Sequence, residues 1–234
     1  MQSCEKKTLT DTENGIAKKE IVTADKSLQT SDNTIYYLDN KEVNKQIANF
    51  YTIANSYIIQ TGILNKTNKE IINLVYIYTT KKGYIEYGIK HNLKLKEELQ
   101  FAEHMSKYAE TSGAISEYEK TGKISENYFK YEKKYYKKIF GKSYSAKSAF
   151  VLYDNRNQAS GQHIIVPFFW MLPTLGKMND KTSSVDMWGM GGVVTLYNKT
   201  FFRGYLTSMV MYPPLWWRKV PVSSDNRASS VVTH

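Results

Sequence analysis

The sequence predicts an α+β chain in which an all-α N-terminal domain precedes an all-β double Greek-key sandwich. Apolar residues recur with helical spacing between positions 35 and 141, whereas alternation, β-branched residues and all five prolines lie beyond position 148. A hydrophobic content of 41% argues against global disorder. The predicted parts are a disordered tail or tether (1–34), a helical domain (35–141), a linker (142–148) and a β domain (149–234).

The first 34 residues are polar and of low complexity, which predicts disorder. They contain the one cysteine, Cys4, in "MQSCEKK". Small residues that end in Cys resemble the end of a bacterial lipoprotein signal, after which the Cys would be acylated and the polar stretch would be a tether. This interpretation predicts an extracytoplasmic, membrane-anchored lipoprotein of a bacterium. The alternative is an unpaired Cys on a flexible tail.

The helical domain is predicted from four amphipathic segments. The first has its apolar stripe at 43–58, and the second, "TNKEIINLVYIYTTKKG", has Thr67 as a candidate N-cap and Gly83 as a stop signal. The third is "LKLKEELQFAEHMSKYAE". The fourth, "SENYFKYEKKYYKKIFG", begins at Ser125 and ends at Gly141.

The fourth segment interleaves aromatic residues with lysines, in a chain whose net charge is +10. Such a pattern could indicate binding to nucleic acid or to an anionic membrane. Tyr128, Tyr131, Tyr135 and Ile139 nevertheless form a helical stripe, so we predict that they pack inside the helical domain while the lysines face water. No specific nucleic acid is expected as a partner, and membrane contact is expected only through the lipid anchor.

The predicted β domain contains an internal repeat. "FVLYDNRNQASGQHIIV" aligns with "VTLYNKTFFRGYLTSMV", which pairs Tyr153 with Tyr197 and Gly161 with Gly204. Each copy is followed by a polar hexad, "NDKTSS" at 179–184 and "DNRASS" at 225–230. A repeat of this length, built from four short strands, predicts a Greek key, and two such units can pack as a sandwich.

The repeats resemble those of the microbial βγ-crystallin domains. One hallmark of that family is a hairpin with an aromatic residue, four residues, a second aromatic, any residue and Gly, which Tyr197, Phe202 and Gly204 match. The first repeat has one extra residue before Gly161 and lacks the second aromatic. The other hallmark is a calcium-binding hexad, Asp/Asn-Asp/Asn-X-X-Ser/Thr-Ser, which both hexads match. The resemblance covers 149–234, and the N-terminal part resembles no family that we recognise.

The resemblance implies two Ca²⁺ sites, with ligands exchanged between the repeats. Calcium takes six to eight oxygen ligands in irregular geometry. The implied side-chain ligands are the residues at the second position of each hexad, Asp180 and Asn226, and the hydroxyls at the fifth position, Ser183 and Ser229. The implied carbonyl ligands are those at the third position, Lys181 and Arg227, and those of the residues that follow the hairpin tyrosines, Asp154 and Asn198. The alternative is that the hexads are polar turns that satisfy only their own backbone.

The predicted function is therefore that of a non-enzymatic, calcium-stabilised structural or binding module that is exported. The four histidines lack the mutual spacing of a zinc site, and no Ser-His-Asp order or phosphate loop stands out, so an enzyme is not expected. A second hypothesis is a secreted protease inhibitor or toxin-like protein. Its loop "MYPPLWW", with Trp216 or the following Trp217, would engage a protein target; the helical domain is another possible partner surface.

Overall fold

Twelve strands and five α-helices make up the described part of the chain, which in the computed structural model comprises residues 33–53, 56–65, 67, 70–141, 149–154, 162–167, 171–188, 192–211, 217–219 and 227–234. The helices are α1 (Lys45–Ile53), α2 (Lys81–Lys90), α3 (Leu95–Thr111), α4 (Ala114–Thr121) and α5 (Glu126–Phe140). The strands are β1 (Thr34–Leu38), β2 (Lys41–Val43), β3 (Tyr57–Leu64), β4 (Ile71–Tyr78), β5 (Ala149–Tyr153), β6 (His163–Pro167), β7 (Met171–Leu172), β8 (Ser184–Trp188), β9 (Gly192–Lys199), β10 (Arg203–Met211), β11 (Trp217–Lys219) and β12 (Ser230–Thr233).

The prediction of an all-α N-terminal domain followed by an all-β sandwich is wrong, because the helices lie among strands β1 to β4. The second predicted helix is strand β4, and Thr67 precedes that strand instead of capping a helix. Thr80 is the residue that caps α2: its Oγ1 accepts a hydrogen bond from the Gly83 amide at 3.1 Å, so Gly83 lies in the first turn of α2. Residues 1–32 and the predicted linker at 142–148 lie outside the described part.

An eight-stranded mixed sheet joins the two halves of the chain. Its order is β2-β1-β4-β3-β10-β9-β12-β7, with β1 parallel to β4 and β3 parallel to β10. At the junction, Ile59 lies opposite Ser208, and the hydroxyl of Tyr205 donates to the carbonyl of Ile58 at 2.6 Å. The sheet is therefore continuous across the position where the sequence predicts a domain boundary.

The strands of 149–234 form two sets with equivalent order. The second sheet has the order β11-β8-β5-β6, and the end of the eight-stranded sheet has the matching order β7-β12-β9-β10. Each repeat thus places its third strand, β7 or β11, in the sheet of the other repeat. The two sheets pack on each other through a core that includes Phe150, Leu152, Val194, Leu196 and Val231, all fully buried. This exchange of strands interlocks the two repeats.

Helices cover both faces of the eight-stranded sheet. Ile59 packs in a cluster with α2 and α3 residues such as Tyr84, whereas its neighbour Ile58 packs with Ala48 of α1. Since consecutive strand residues face opposite ways, α1 lies on the face opposite to α2. Helices α3 to α5 pack over the β9–β10 hairpin, whose tip residues Phe201 and Phe202 are buried in their aromatic cluster.

The predictions for the third and fourth helical segments are confirmed by α3 and α5. Ser125 caps α5 by accepting from the Tyr128 amide at 3.4 Å, and Gly141 ends it at φ +68°. The predicted apolar stripe packs inward: Tyr128 is buried, and the three residues that continue it, among them Tyr131, are half-buried. None of the helices described is long and apolar enough to cross a membrane.

Candidate metal centre

The two hexads lie at equivalent places in the fold. The first hexad follows a short 3₁₀ helix, Gly176–Met178, and runs into β8, which begins at Ser184. The second hexad runs into β12, which begins at Ser230. Asp225 and Asn226, with which the second hexad begins, lie outside the described residues.

Each hexad is held against the hairpin of its own repeat by the same hydrogen bond. The Ser183 amide donates to the Tyr153 carbonyl at 2.8 Å, and the Ser229 amide donates to the Tyr197 carbonyl at 2.7 Å. Asp154 and Asn198, the next residues after these tyrosines, are the predicted sources of hairpin carbonyls. The fifth residue of each hexad is thus held one residue away from its predicted hairpin ligand.

Asp180 connects the first hexad to the second. Its amide donates to the Ala228 carbonyl at 2.8 Å, and its Oδ1 accepts a hydrogen bond from Ser229 Oγ at 2.9 Å. The backbone of Asp180 is left-handed, with φ +56°, a conformation that Asp adopts more easily than most residues. Oxygens of two predicted ligands, one from each hexad and 49 positions apart in the sequence, are therefore in contact.

In the first hexad, the predicted ligands Lys181 and Ser183 also lie together. Ser183 Oγ is 3.5 Å from the Lys181 carbonyl oxygen. Two oxygens that are each about 2.4 Å from a calcium ion, with a right angle between the two ion–oxygen directions, are about 3.4 Å apart. The observed spacing therefore fits binding to one ion. Asn226, the side-chain ligand predicted from the second hexad, lies outside the described residues.

Three side-chain oxygens near the hexads are buried without a hydrogen-bond partner among the described residues: Asp154 Oδ1, Asn198 Oδ1 and Thr182 Oγ1. A buried polar atom without a partner costs about 1–3 kcal/mol, and a cation close to a carboxylate or amide oxygen would offset that cost. Asp154 and Asn198 occupy the same position in the two repeats. Both repeats therefore have a buried side-chain oxygen without a partner at the residue that follows the hairpin tyrosine.

Asn179, the first residue of its hexad, has a different use. Its Oδ1 accepts hydrogen bonds from the Leu175 amide at 2.9 Å and from Thr174 Oγ1 at 3.4 Å. The hydroxyl of Thr174 also lies 2.9 Å from the hydroxyl of Tyr118 on α4. Asn179, which is not among the predicted ligands, therefore shapes the loop and links it to the helices.

The oxygens gathered here are of the kind that hard cations prefer. Asp180 supplies a carboxylate, whereas the other predicted ligands of the two sites are hydroxyls, an amide and carbonyls. The side chains of Lys181 and Arg227 are exposed, so their positive charges lie in solvent. No group of three or more His, Cys, Asp or Glu residues suited to a metal occurs in the part of the chain that the structure describes.

Sequence reasoning overlooked two features of this centre. The Thr182 hydroxyl is buried in the first hexad, where the second has Ala228, and the difference is visible once the hexads are aligned. The other is the side chain of Asp154, since the sequence predicts only its carbonyl as a ligand. Among the other predicted residues, Cys4 and Trp216 lie outside the described part, and Trp217 is described only by its backbone in β11, opposite Asp186.

Comparisons of this chain with protein-family models, with curated proteins and with solved structures give no match. The likeness of 149–234 to βγ-crystallin domains therefore stays a prediction from the hairpin and hexad residues. The functional argument rests on those residues and on their geometry.

Proposed function

We propose that this protein is a non-enzymatic, calcium-stabilised module in which residues 149–234 bind two Ca²⁺ ions in the manner of a βγ-crystallin domain. The observation that carries the proposal is the contact of Asp180 with the second hexad, through Ser229 Oγ at 2.9 Å and the Ala228 carbonyl at 2.8 Å. A turn that satisfied only its own backbone would not need a carboxylate from the other repeat. A cation site shared by the two hexads would use this approach of Asp180 to the second hexad.

The two sites would use different ligands. Asp180 and Ser229 would hold one ion, together with the carbonyls of Arg227 and Asn198. Ser183 would contribute to the other ion, together with the carbonyls of Lys181 and Asp154 and the side chain of Asn226. A bound ion would supply positive charge to oxygens of both repeats, and the hydrogen bonds from the Ser183 and Ser229 amides keep the hexads next to the hairpins.

The ligand charges favour weak and unequal binding. The site built on Asp180 has one certain anionic ligand, whereas the other has Asn226 in that position. Few anionic ligands and nearby basic residues predict dissociation constants of about 10⁻⁵ to 10⁻³ M, a range typical of extracellular modules. That range suits a calcium-rich exterior, so we include export, with anchoring through Cys4, in the proposal.

Calcium would stabilise the folded chain by mass action, since the sites form only when both repeats are folded. One site at a hundredfold excess of ligand over its dissociation constant contributes about 2.7 kcal/mol. For a chain of this length, that corresponds to a rise in the melting temperature of about 5–10 °C. The two repeats already exchange strands, so each ion would add a second link between them.

Thermal unfolding of the full chain, in EDTA and in increasing calcium up to 10 mM, tests the proposal. We expect the melting temperature to rise with calcium in the wild type, and the rise to be reduced in Asp180→Asn and Ser229→Ala. Glu126→Gln is the matched control: it also removes one negative charge, from an exposed side chain on α5, and should leave the rise intact.

The alternative, polar turns without calcium, gives a different result. If Asp180 only satisfies the Ser229 hydroxyl, Asp180→Asn should lower the melting temperature by the same amount in EDTA and in calcium. A melting temperature of the wild-type protein that does not respond to 10 mM calcium would refute the calcium proposal.

A further inference from the structure

The outer face of α5 is an unmixed basic surface. Its five lysines, Lys130, Lys133, Lys134, Lys137 and Lys138, are all exposed. At 100° per residue they span an arc of about 140°, which we call the lysine face. The acidic residues of α5 are Glu126 in the first turn, which pairs with Lys130 at 2.9 Å, and Glu132, which is buried. Beyond Glu126, no acidic residue of α5 is exposed on the lysine face.

Part of this arrangement opposes the stability of the helix, although Lys137 and Lys138 lie in the last turn, where positive charge is favourable. Lys130 and Lys134, Lys133 and Lys137, and Lys134 and Lys138 are like charges four residues apart, and such pairs destabilise helices.

Helix α3 provides a comparison within the same molecule: its exposed Lys96, Glu103, Lys107 and Glu110 mix both signs. Mixed charge is sufficient for solubility. The lysine face on α5 is therefore suited to an anionic partner.

The aromatic residues beside the lysine face are already occupied. Tyr135 stacks on His104 with centroids 3.8 Å apart, and Tyr131 stacks on Tyr108 at 3.9 Å. The Tyr131 hydroxyl is also hydrogen-bonded to His104 Nε2 at 2.9 Å. Single-stranded nucleic acids bind by stacking bases on ring faces, and these ring faces are covered by neighbouring rings.

The chemistry of the lysine face favours a diffuse anionic surface. Lysine is a point charge on a flexible stem, whereas arginine, which α5 lacks, makes the bidentate contacts typical of specific phosphate recognition. The face is the convex side of a helix, so several ammonium groups can approach a flat layer of charge together. Attraction to anionic lipid headgroups accumulates with each lysine near the surface.

We propose that the lysine face of α5 docks this protein on the surface of an anionic lipid bilayer. The proposal is independent of calcium binding, because it uses no hexad residue. It adds a protein-borne membrane contact to the lipid anchor considered for Cys4.

Co-sedimentation of the full chain with vesicles tests this docking. We expect binding to vesicles of phosphatidylcholine with 30% phosphatidylglycerol at low salt, and little binding to pure phosphatidylcholine or at 0.5 M salt. The triple variant Lys133→Gln, Lys134→Gln, Lys137→Gln should bind roughly a hundredfold more weakly, at about fivefold per lysine. Glutamine keeps the helix propensity, so α5 should remain folded.

The matched control is Lys41→Gln, Lys45→Gln, Lys90→Gln, which removes the same charge from exposed lysines outside the face. It should bind within a fewfold of wild type. Equal losses in the two triple variants would overturn the proposal, as would absence of binding to anionic vesicles or equal binding to neutral ones. Binding to duplex DNA but not to vesicles would also overturn it. If the first triple variant does not fold, Lys134→Gln alone, with an expected fivefold loss, decides the question.

Discussion

Glu98 is a fully buried carboxyl group at the interface between the helices and the eight-stranded sheet. The Tyr84 hydroxyl donates to its Oε2 at 3.0 Å and lies 2.8 Å from Ser208 Oγ, which in turn lies 2.8 Å from Thr195 Oγ1. This chain of polar groups connects α2 and α3 to β9 and β10. Burial raises the pKa of Glu98 to about 8, although the hydrogen bond from Tyr84 opposes the rise.

Glu98 should make the protein less stable as the pH rises. With a pKa of 4.5 when unfolded and about 8 when folded, the folded state holds a proton between these values that the unfolded state has lost. The contribution of Glu98 to stability is complete below about pH 4.5 and is lost by about pH 8. The total loss is at most about 5 kcal/mol, at 1.36 kcal/mol per pKa unit.

Glu98→Gln keeps the shape of the side chain and removes the titration. The free energy of unfolding of the variant, relative to wild type, should therefore increase between pH 5 and pH 8 in urea titrations. Glu126→Gln, which makes the same change in an exposed side chain of α5, is the control. A Glu98→Gln difference that does not change with pH would mean that Glu98 is ionised in the folded protein.

The β9–β10 hairpin lies where the candidate calcium centre meets the helical layer. Its tip residues Phe201 and Phe202 both have φ +59°, and their rings pack against Tyr128 and Phe101 at 5.2 and 5.4 Å. The Phe202 amide donates to Ser230 Oγ at 3.0 Å, in the last position of the second hexad. The hairpin therefore fixes the second hexad to the helices.

Gly204 in this hairpin should tolerate no side chain. It has φ +64°, and a Cβ there would lie 1.9 Å from Asn198 Oδ1. In Gly204→Ala, an alanine would have to adopt a left-handed backbone and would also displace Asn198. Together these effects should lower the free energy of unfolding by about 2–4 kcal/mol in the absence of calcium. Because the carbonyl of Asn198 is a proposed calcium ligand, a shift of this residue should also reduce the rise in melting temperature with calcium.

Gly122→Ala is the control for backbone strain alone. Gly122 has a similar φ of +66°, but nothing lies within 4 Å of a Cβ built there. Its substitution should cost about 1–2 kcal/mol and leave the response to calcium unchanged. Equal losses in the two variants, with equal calcium responses, would show that the Asn198 contact has no part in either property.

The elements that could be predicted from sequence are those whose signals are local. Helix α5 carries its own cap, stop and apolar stripe between Ser125 and Gly141, and its bounds follow from them. Strand β4, "IINLVYIY", gives no such signal, because it is covered on both faces and its apolar residues do not alternate. A short apolar run of this kind fits a helix or a strand, and the pairing of β4 with β1 and β3 settles it.

The candidate site likewise has some features that local sequence patterns indicate and others that depend on the fold. The Asx and Ser residues of the hexads and the tyrosines of the hairpins are visible as a repeated pattern, which predicts loops before strands β8 and β12. The contact between Asp180 and Ser229 spans 49 positions, so no local pattern indicates it. The family resemblance implies only that the two repeats exchange ligands. The buried oxygens of Thr182 and Asn198 depend on what surrounds them in the fold, so no local pattern could indicate them.

For the whole molecule, the continuous sheet and shared helices predict a single cooperative unit. Leu99 of α3 packs in one cluster with Tyr78 of β4 and with Val193 and Val210 of β9 and β10. The parallel contact of β3 with β10 then carries the sheet from one half of the chain into the other. Unfolding either half would expose core residues of the other, which makes an intermediate with one folded half unfavourable.

Two spectroscopic signals report separately on the halves and can test this cooperativity. The five α-helices of the described part lie between residues 45 and 140, whereas the four tryptophans of the sequence lie between 170 and 217. Urea unfolding followed by circular dichroism at 222 nm and by tryptophan fluorescence should therefore give the same midpoint. Calcium should move both midpoints equally, although the proposed ligands all lie in the second half. Two signals from one cooperative unit must follow the same equilibrium. Separate midpoints, or a calcium shift seen only in fluorescence, would therefore show that 149–234 unfolds independently of the helices.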